Sequence, residues 1–182
     1  MSTPAVVIIY GRSVHHGDEM HRLFRDRDGY PTHVLKELCT VIKKVNKFDV
    51  SSSLTNTAAG VLVGISTTEY GMAYQLETEY NPFNPDKHVK GLNVQRWMYI
   101  LDWDNKTLSI YGDSYDDGLV DPYNYLTYLR PECKAKTKRQ ITQQLKTLRA
   151  QGWQINPQPN SIKFIKGLVE KSHPGEMVDP LP

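Results

Sequence analysis

A chain of 182 residues with 39% hydrophobic and 23% charged side chains has the composition of one globular domain with a real core, not of a disordered segment. Its 22 basic and 20 acidic residues leave a net charge of +2, too balanced to make it a nucleic-acid binder on charge alone. No apolar run approaches the roughly 18 residues of a membrane span. The opening MSTPAVVIIYGR lacks the basic start and apolar length of a signal peptide, so a cytoplasmic protein with no membrane partner is expected.

The first element is Ala5 to Tyr10, AVVIIY, a continuous apolar and β-branched run that suits a central strand buried on both faces. SVHHGDEM reads as a turn or loop, and His21 to Arg25 as a second strand. Asp28-Gly29 closes that strand and Pro31-Thr32 opens a helix. Val34, Leu35, Leu38, Val41, Ile42 and Val45 then recur at helical spacing, which predicts a helix over 32–46. Cys39 falls on its apolar side and is expected as a buried free thiol; the only other cysteine, Cys133, offers no short spacing for a metal site.

Ser53 is a suitable N-cap for a second helix, with Leu54, Ala58, Val61, Leu62 and Ile65 on one face and Gly60 and Gly64 permitting close packing. Its β-branched content leaves a strand over VLVGI as an alternative. Met72 to Tyr80 alternates as a strand, with Met72, Tyr74, Leu76 and Tyr80 on one face and Gln75, Glu77 and Glu79 on the other. Val94 to Trp103 is an aromatic strand with Trp97, Tyr99, Leu101 and Trp103 on one side. A turn at Asp104-Asn105 pairs it with Lys106 to Tyr111 as a hairpin. DPYNYLTYLRP is aromatic without a period. Thr137 to Arg149 is a helix ended by Gly152, and Trp153 to Ile155 returns as a strand. The predicted architecture is α+β, a mostly antiparallel sheet with about three helices packed on it. Residues 1–155 form the domain and 156–182 a proline-punctuated tail.

Chemistry-bearing motifs are few. There is no G-x-x-x-x-G-K-[ST], no G-x-G-x-x-G and no G-x-S-x-G, which disfavours nucleoside-triphosphate hydrolysis, dinucleotide redox chemistry and α/β-hydrolase chemistry. His15, His16, Asp18 and His21 share one short span, a set able in principle to hold a metal or serve acid–base chemistry, but the spacing matches no zinc motif. No metal or cofactor is expected. The acidic stretch Asp113 to Asp121 fails the EF-hand pattern, with Tyr115 at the third position and Asn124 at the twelfth, and reads as a surface turn. Glu77 and Glu79 form a same-face carboxylate pair, a candidate partner-binding feature. From Lys134 to Lys146, KAKTKRQITQQLK carries five basic residues and no acid, the polar face of a helix or a contact for phosphate or an acidic partner.

The stretch FRDRDGYPTH, residues 24–33, draws most interest. Asp28 suits a turn, Gly29 is expected to supply a positive φ, and Pro31 presets the first helical turn. Arg25 and Arg27, two apart on a strand, are expected to share a solvent face beside a helix N-terminus, with Asp28 and Tyr30 completing a partner- or phosphate-binding site.

Phe24, Arg25, Asp28, Gly29, Tyr30 and Pro31 together resemble a motif, roughly Y-R-H-[WY]-D-G-Y-P, of small uncharacterised proteins from phages and mobile elements. Asp26 stands where that motif has a histidine and Arg27 where it has an aromatic residue. Thr78 to Tyr80 and the WMYILD strand at 97–102 are similar in type, so the resemblance spans about residues 5 to 103. It implies a phage or mobile-element origin. Small proteins of that origin are frequently inhibitors of host defence, anti-CRISPR proteins among them. The expected function is therefore counter-defence, by binding a host defence protein complex in the host cytoplasm rather than by catalysis. The alternative is a small nucleotide-binding protein or phosphodiesterase acting on a defence signalling nucleotide, with Arg25, Arg27 and the histidine cluster around a phosphate.

Overall fold

The computed structural model describes residues 3–13, 17–25, 27–47, 53–70, 74–76, 97–112 and 119–156. It is an α+β fold built on a six-stranded mixed sheet of order β3-β2-β1-β4-β5-β6. The strands are β1 (Ala5–Ser13), β2 (Gly17–Arg25), β3 (Tyr74–Leu76), β4 (Trp97–Asp102), β5 (Thr107–Tyr111) and β6 (Gln154–Ile155). The helices among the described residues are α1 (Pro31–Val45), α2 (Leu54–Tyr70), a 3-10 helix at Pro122–Tyr128, and α3 (Pro131–Ala150).

The sheet is mostly antiparallel, as the sequence suggests, but it is mixed. β1–β2, β2–β3 and β4–β5 pair antiparallel, but β1–β4 and β5–β6 pair parallel. The parallel pairing sets β1 in the middle of the sheet, which is why AVVIIY carries apolar side chains on both faces. Ala5, Val7 and Ile9 pack with Leu23, Trp97, Tyr99, Leu101, Leu108 and Ile110 beneath α1, α2 and α3. Val6, Ile8 and Tyr10 meet Met98, Ile100 and Tyr111 on the opposite face, also buried.

Helix α1 spans Pro31–Val45 and buries the predicted stripe. The 53–65 segment is helical, not a strand, and runs on to Tyr70. Ser53 caps it, its Oγ accepting from the Asn56 amide at 3.1 Å. Gly60 and Gly64 are exposed, and a Cβ at either would meet nothing within 4 Å among the described residues, so the close packing expected of them is not seen there. β2 begins at Gly17, four residues before the predicted start. α3 begins at Pro131, six before its predicted start, because proline at the first helical position suits an N-terminus that the lysine-rich first turns do not announce by any apolar period. The aromatic DPYNYLTYLRP stretch holds the 3-10 helix, where the Tyr123 amide donates to Asp121 Oδ1 at 2.9 Å. Thus Asp121 of the acidic stretch is a cap; residues 113–118 lie outside the described residues.

Gly152 ends α3 with φ +84, and Trp153 packs edge-on against Trp103, ring centroids 5.2 Å apart. Asn156 belongs to the domain and not to a tail. Its Oδ1 accepts from the Ile110 amide at 2.8 Å and its Nδ2 donates to Val120 O at 3.0 Å. Residues 157–182 lie outside the described residues, as does most of the predicted 72–80 strand beyond β3. Among the described residues no helix is long and apolar enough to cross a membrane.

Candidate functional site

The DGYP turn is held to the sheet by its backbone. The Gly29 amide donates to Thr3 O at 2.7 Å, and the Tyr99 hydroxyl donates to Gly29 O at 3.0 Å. Asp28, not Gly29, has the positive φ, at +52. Glycine is required next to it for space. A Cβ there would sit 2.5 Å from Ala5 Cβ and 2.7 Å from the Pro4 carbonyl carbon. The expected division of labour between the two residues is therefore reversed. Tyr30 is the N-cap of α1 without any side-chain cap bond, and Pro31 follows in the first helical turn.

Arg25 does not face solvent. Only 2% of its side chain is exposed, and Nη1 donates to both carboxylate oxygens of Glu37, itself 1% exposed. Nε donates to the Arg27 carbonyl at 2.6 Å, and Tyr74 OH lies 3.5 Å from Nη1. The Tyr74 hydroxyl in turn donates to Glu37 Oε2 at 2.8 Å. Burial, with Glu37 adding to it, pushes the Tyr74 phenol well above its ordinary range, so it remains a donor. This network ties β2, α1 and β3 together. A guanidinium so engaged is not offered to a phosphate, which corrects the sequence expectation for Arg25. Its partner was visible in principle: Glu37 lies three residues after Val34 and four before Val41, on the apolar stripe of α1.

Arg27 is exposed, and Asp28 and Tyr30 are half-buried. Arg25 and Arg27 therefore do not share a face, since β2 ends at Arg25 and the alternation ends with it. The Tyr30 ring stacks on Tyr125 with centroids 4.6 Å apart and planes 29° apart. Burial raises the Tyr125 pKa, and the neighbouring Tyr30, Asp28 and Cys133 push it further the same way. Sequence reasoning named Tyr30 but not Tyr125, whose segment carried no periodic signal. Tyr128, 66% exposed, and Arg130, also exposed, lead from this stack onto α3. Glu77 and Glu79 lie outside the described residues.

A second polar cluster joins β2 to the start of α2. Glu19 Oε2 accepts from Ser53 Oγ, from Thr55 Oγ1 at 2.7 Å and from Asn56 Nδ2 at 3.3 Å. His21 Nε2 lies 3.9 Å from the same oxygen. Burial lowers the His21 pKa and Glu19 only partly offsets it. With Ser53 and Thr55 both buried, this carboxylate works as an extension of the α2 cap. His15 and His16 lie outside the described residues, among which no group of three His, Cys, Asp or Glu side chains is placed to hold a metal ion.

No protein-family model, no curated protein and no solved structure matches this chain.

Proposed function

We propose that the chain is a counter-defence protein of phage or mobile-element origin, of the anti-CRISPR kind, which acts by binding a host defence protein complex. The observation that carries the reading is the surface where the DGYP turn meets the 3-10 helix. There the Tyr30–Tyr125 stack follows exposed Arg27 by three residues at Tyr30, with Tyr128 and Arg130 close behind Tyr125 in sequence. Tyrosine and arginine are the residues that anchor protein interfaces, since each brings a large contact area with a polar end. The phosphodiesterase reading loses its main support because Arg25 is spent on Glu37. The resemblance of residues 24–31 to the phage motif supplies the biological context.

Expression of the chain in a bacterium carrying an active defence system tests the reading. Phage plating should rise, and a tagged chain should capture a component of that system identified by mass spectrometry. The double variant Arg27→Ala, Tyr30→Ala should lose both effects while remaining folded. Unchanged plating across a panel of defence systems, or hydrolysis of a signalling nucleotide by the purified protein, would overturn it.

A further inference from the structure

We propose that the outer face of α3 is a contact for the phosphodiester backbone of nucleic acid, made without base readout. The inference does not rest on the host-complex reading and uses a different surface. Six basic side chains, Lys134, Lys136, Lys138, Arg139, Lys146 and Arg149, project from this one helix, and all are exposed. Its only acid is Glu132, and no ion pair joins any of the six to a carboxylate among the described residues. The helix is anchored instead through buried Ile141, Leu145 and Leu148. At 100° per residue, Lys136, Arg139, Gln143 and Lys146 all point away from those three, a stripe about 15 Å long.

The placement works against the helix itself. Lys134 and Lys138 are four apart, while Lys136 with Arg139 and Lys146 with Arg149 are three apart. Like charges at these spacings repel. Lys134 and Lys136 also sit near the positive end of the helix dipole, where cations are unfavourable. Glu132 is the one acid of the helix, and no ion pair among the described residues offsets the repulsions along the rest of the face; a polyanion would. The composition of the face selects which polyanion. It carries lysine and glutamine but no large apolar side chain, whereas protein interfaces deplete lysine and are centred on apolar or aromatic anchors. Lysine and arginine that neutralise phosphates, with Gln140 and Gln143 as neutral donors, match a nucleic-acid backbone. The net charge of +2 leaves this helix as a local positive stripe on a nearly neutral molecule.

The test is fluorescence anisotropy of the full chain with labelled single-stranded and duplex oligonucleotides, between about 50 and 200 mM salt. Binding to at least one should be saturable and fall steeply with salt. A stronger single-strand signal would assign the contact to unpaired strands, and a stronger duplex signal to double helix. Lys136→Gln, Lys138→Gln, Arg139→Gln and Lys146→Gln together should weaken binding at least tenfold and flatten the log–log salt slope by roughly 3. The single change Arg139→Gln should reduce the slope by a little under about 1, which keeps the test open if the fourfold variant folds poorly. Lys43→Gln on α1 should change nothing. Absence of binding at low salt, equal loss in the α1 control, or full competition by polyglutamate of matched charge would overturn the proposal, the last in favour of an acidic protein partner.

Discussion

The Arg25 guanidinium and the Glu37 carboxylate face each other across the junction of β2 and α1, with 2% and 1% of their side chains exposed. A charge held this far from water is tolerable only while its partner is present. Glu37→Ala and Arg25→Ala should each cost about 3–5 kcal/mol in urea denaturation, because each strands the other charge. Arg27→Ala should shift stability by no more than about 0.5 kcal/mol, as expected of an exposed side chain. Replacing the pair together, Arg25→Met with Glu37→Leu, should recover most of the single-variant loss. An unchanged midpoint for Arg25→Ala would show that this network does not hold the motif.

What could be read in advance divides along the range of the interactions. β1, α1, the β4–β5 hairpin and the capped start of α2 are encoded by residues a few positions apart, and all appear close to where periodicity placed them. The parallel β1–β4 pairing joins Val7 to Tyr99, far apart in sequence, and no local pattern announces it. Arg25 departs from its expected place for the same reason. Alternation puts Arg25 and Arg27 on one face, but the strand stops at Arg25 and its guanidinium turns inward to a helix residue. Tyr125 gives no signal in the sequence because 3-10 geometry eclipses side chains every third residue and leaves too short a run for a period to emerge.

The shared core makes a second prediction. Leu38 and Tyr99 are both fully buried in the cluster between helices and sheet. Leu38→Ala should cost about 2–5 kcal/mol and Tyr99→Ala about 3–5 kcal/mol in a cooperative thermal melt. Tyr99→Phe separates packing from hydrogen bonding. It leaves the Gly29 carbonyl without its donor and should cost about 1–3 kcal/mol. Losses of only a few tenths at Leu38 and Tyr99 would place the core elsewhere.

The two thiols should behave differently. Cys39 is half-buried between α1 and α3, its Sγ 3.5 Å from Gln144 O, and burial pushes its pKa up to about 11. Cys133 is exposed. At pH 8 a thiol reagent should titrate one equivalent quickly, and Cys133→Ser should abolish that phase. The second equivalent should require denaturant. The linkage has a definite sign. A thiol neutral in the fold but ionised at about pH 9 when unfolded contributes stability fully present below pH 9 and lost as pH rises toward 11. Cys39→Ala should flatten that decline, as read from denaturation midpoints between pH 8 and 11. Two fast equivalents in the native protein would mean that Cys39 is open to solvent.

The final prediction concerns Asp28 and Gly29, whose roles are exchanged relative to the usual turn. Asp28 occupies the left-handed region at φ +52, where a residue without Cβ is at ease. Asp28→Gly should therefore be tolerated, with a change within about 1 kcal/mol, and Asp28→Ala should cost about 1–2 kcal/mol. Gly29 has no such backbone demand. An added methyl there would press on Ala5 Cβ at 2.5 Å and on the Pro4–Ala5 backbone at 2.7 and 2.8 Å. Backbone cannot rotate aside, and both Gly29 hydrogen bonds, to Thr3 and from Tyr99, fix the approach. Gly29→Ala should cost about 1–3 kcal/mol, the range for overpacking, even though alanine is the smallest change possible. Ala5→Gly placed beside Gly29→Ala removes the nearest clash and should recover part of that loss, since contacting substitutions couple. Differential scanning calorimetry of the three single variants and the Gly29→Ala, Ala5→Gly pair decides the matter. If Asp28→Gly proved the damaging change and Gly29→Ala the neutral one, the glycine would be serving its turn by conformation and not by fit.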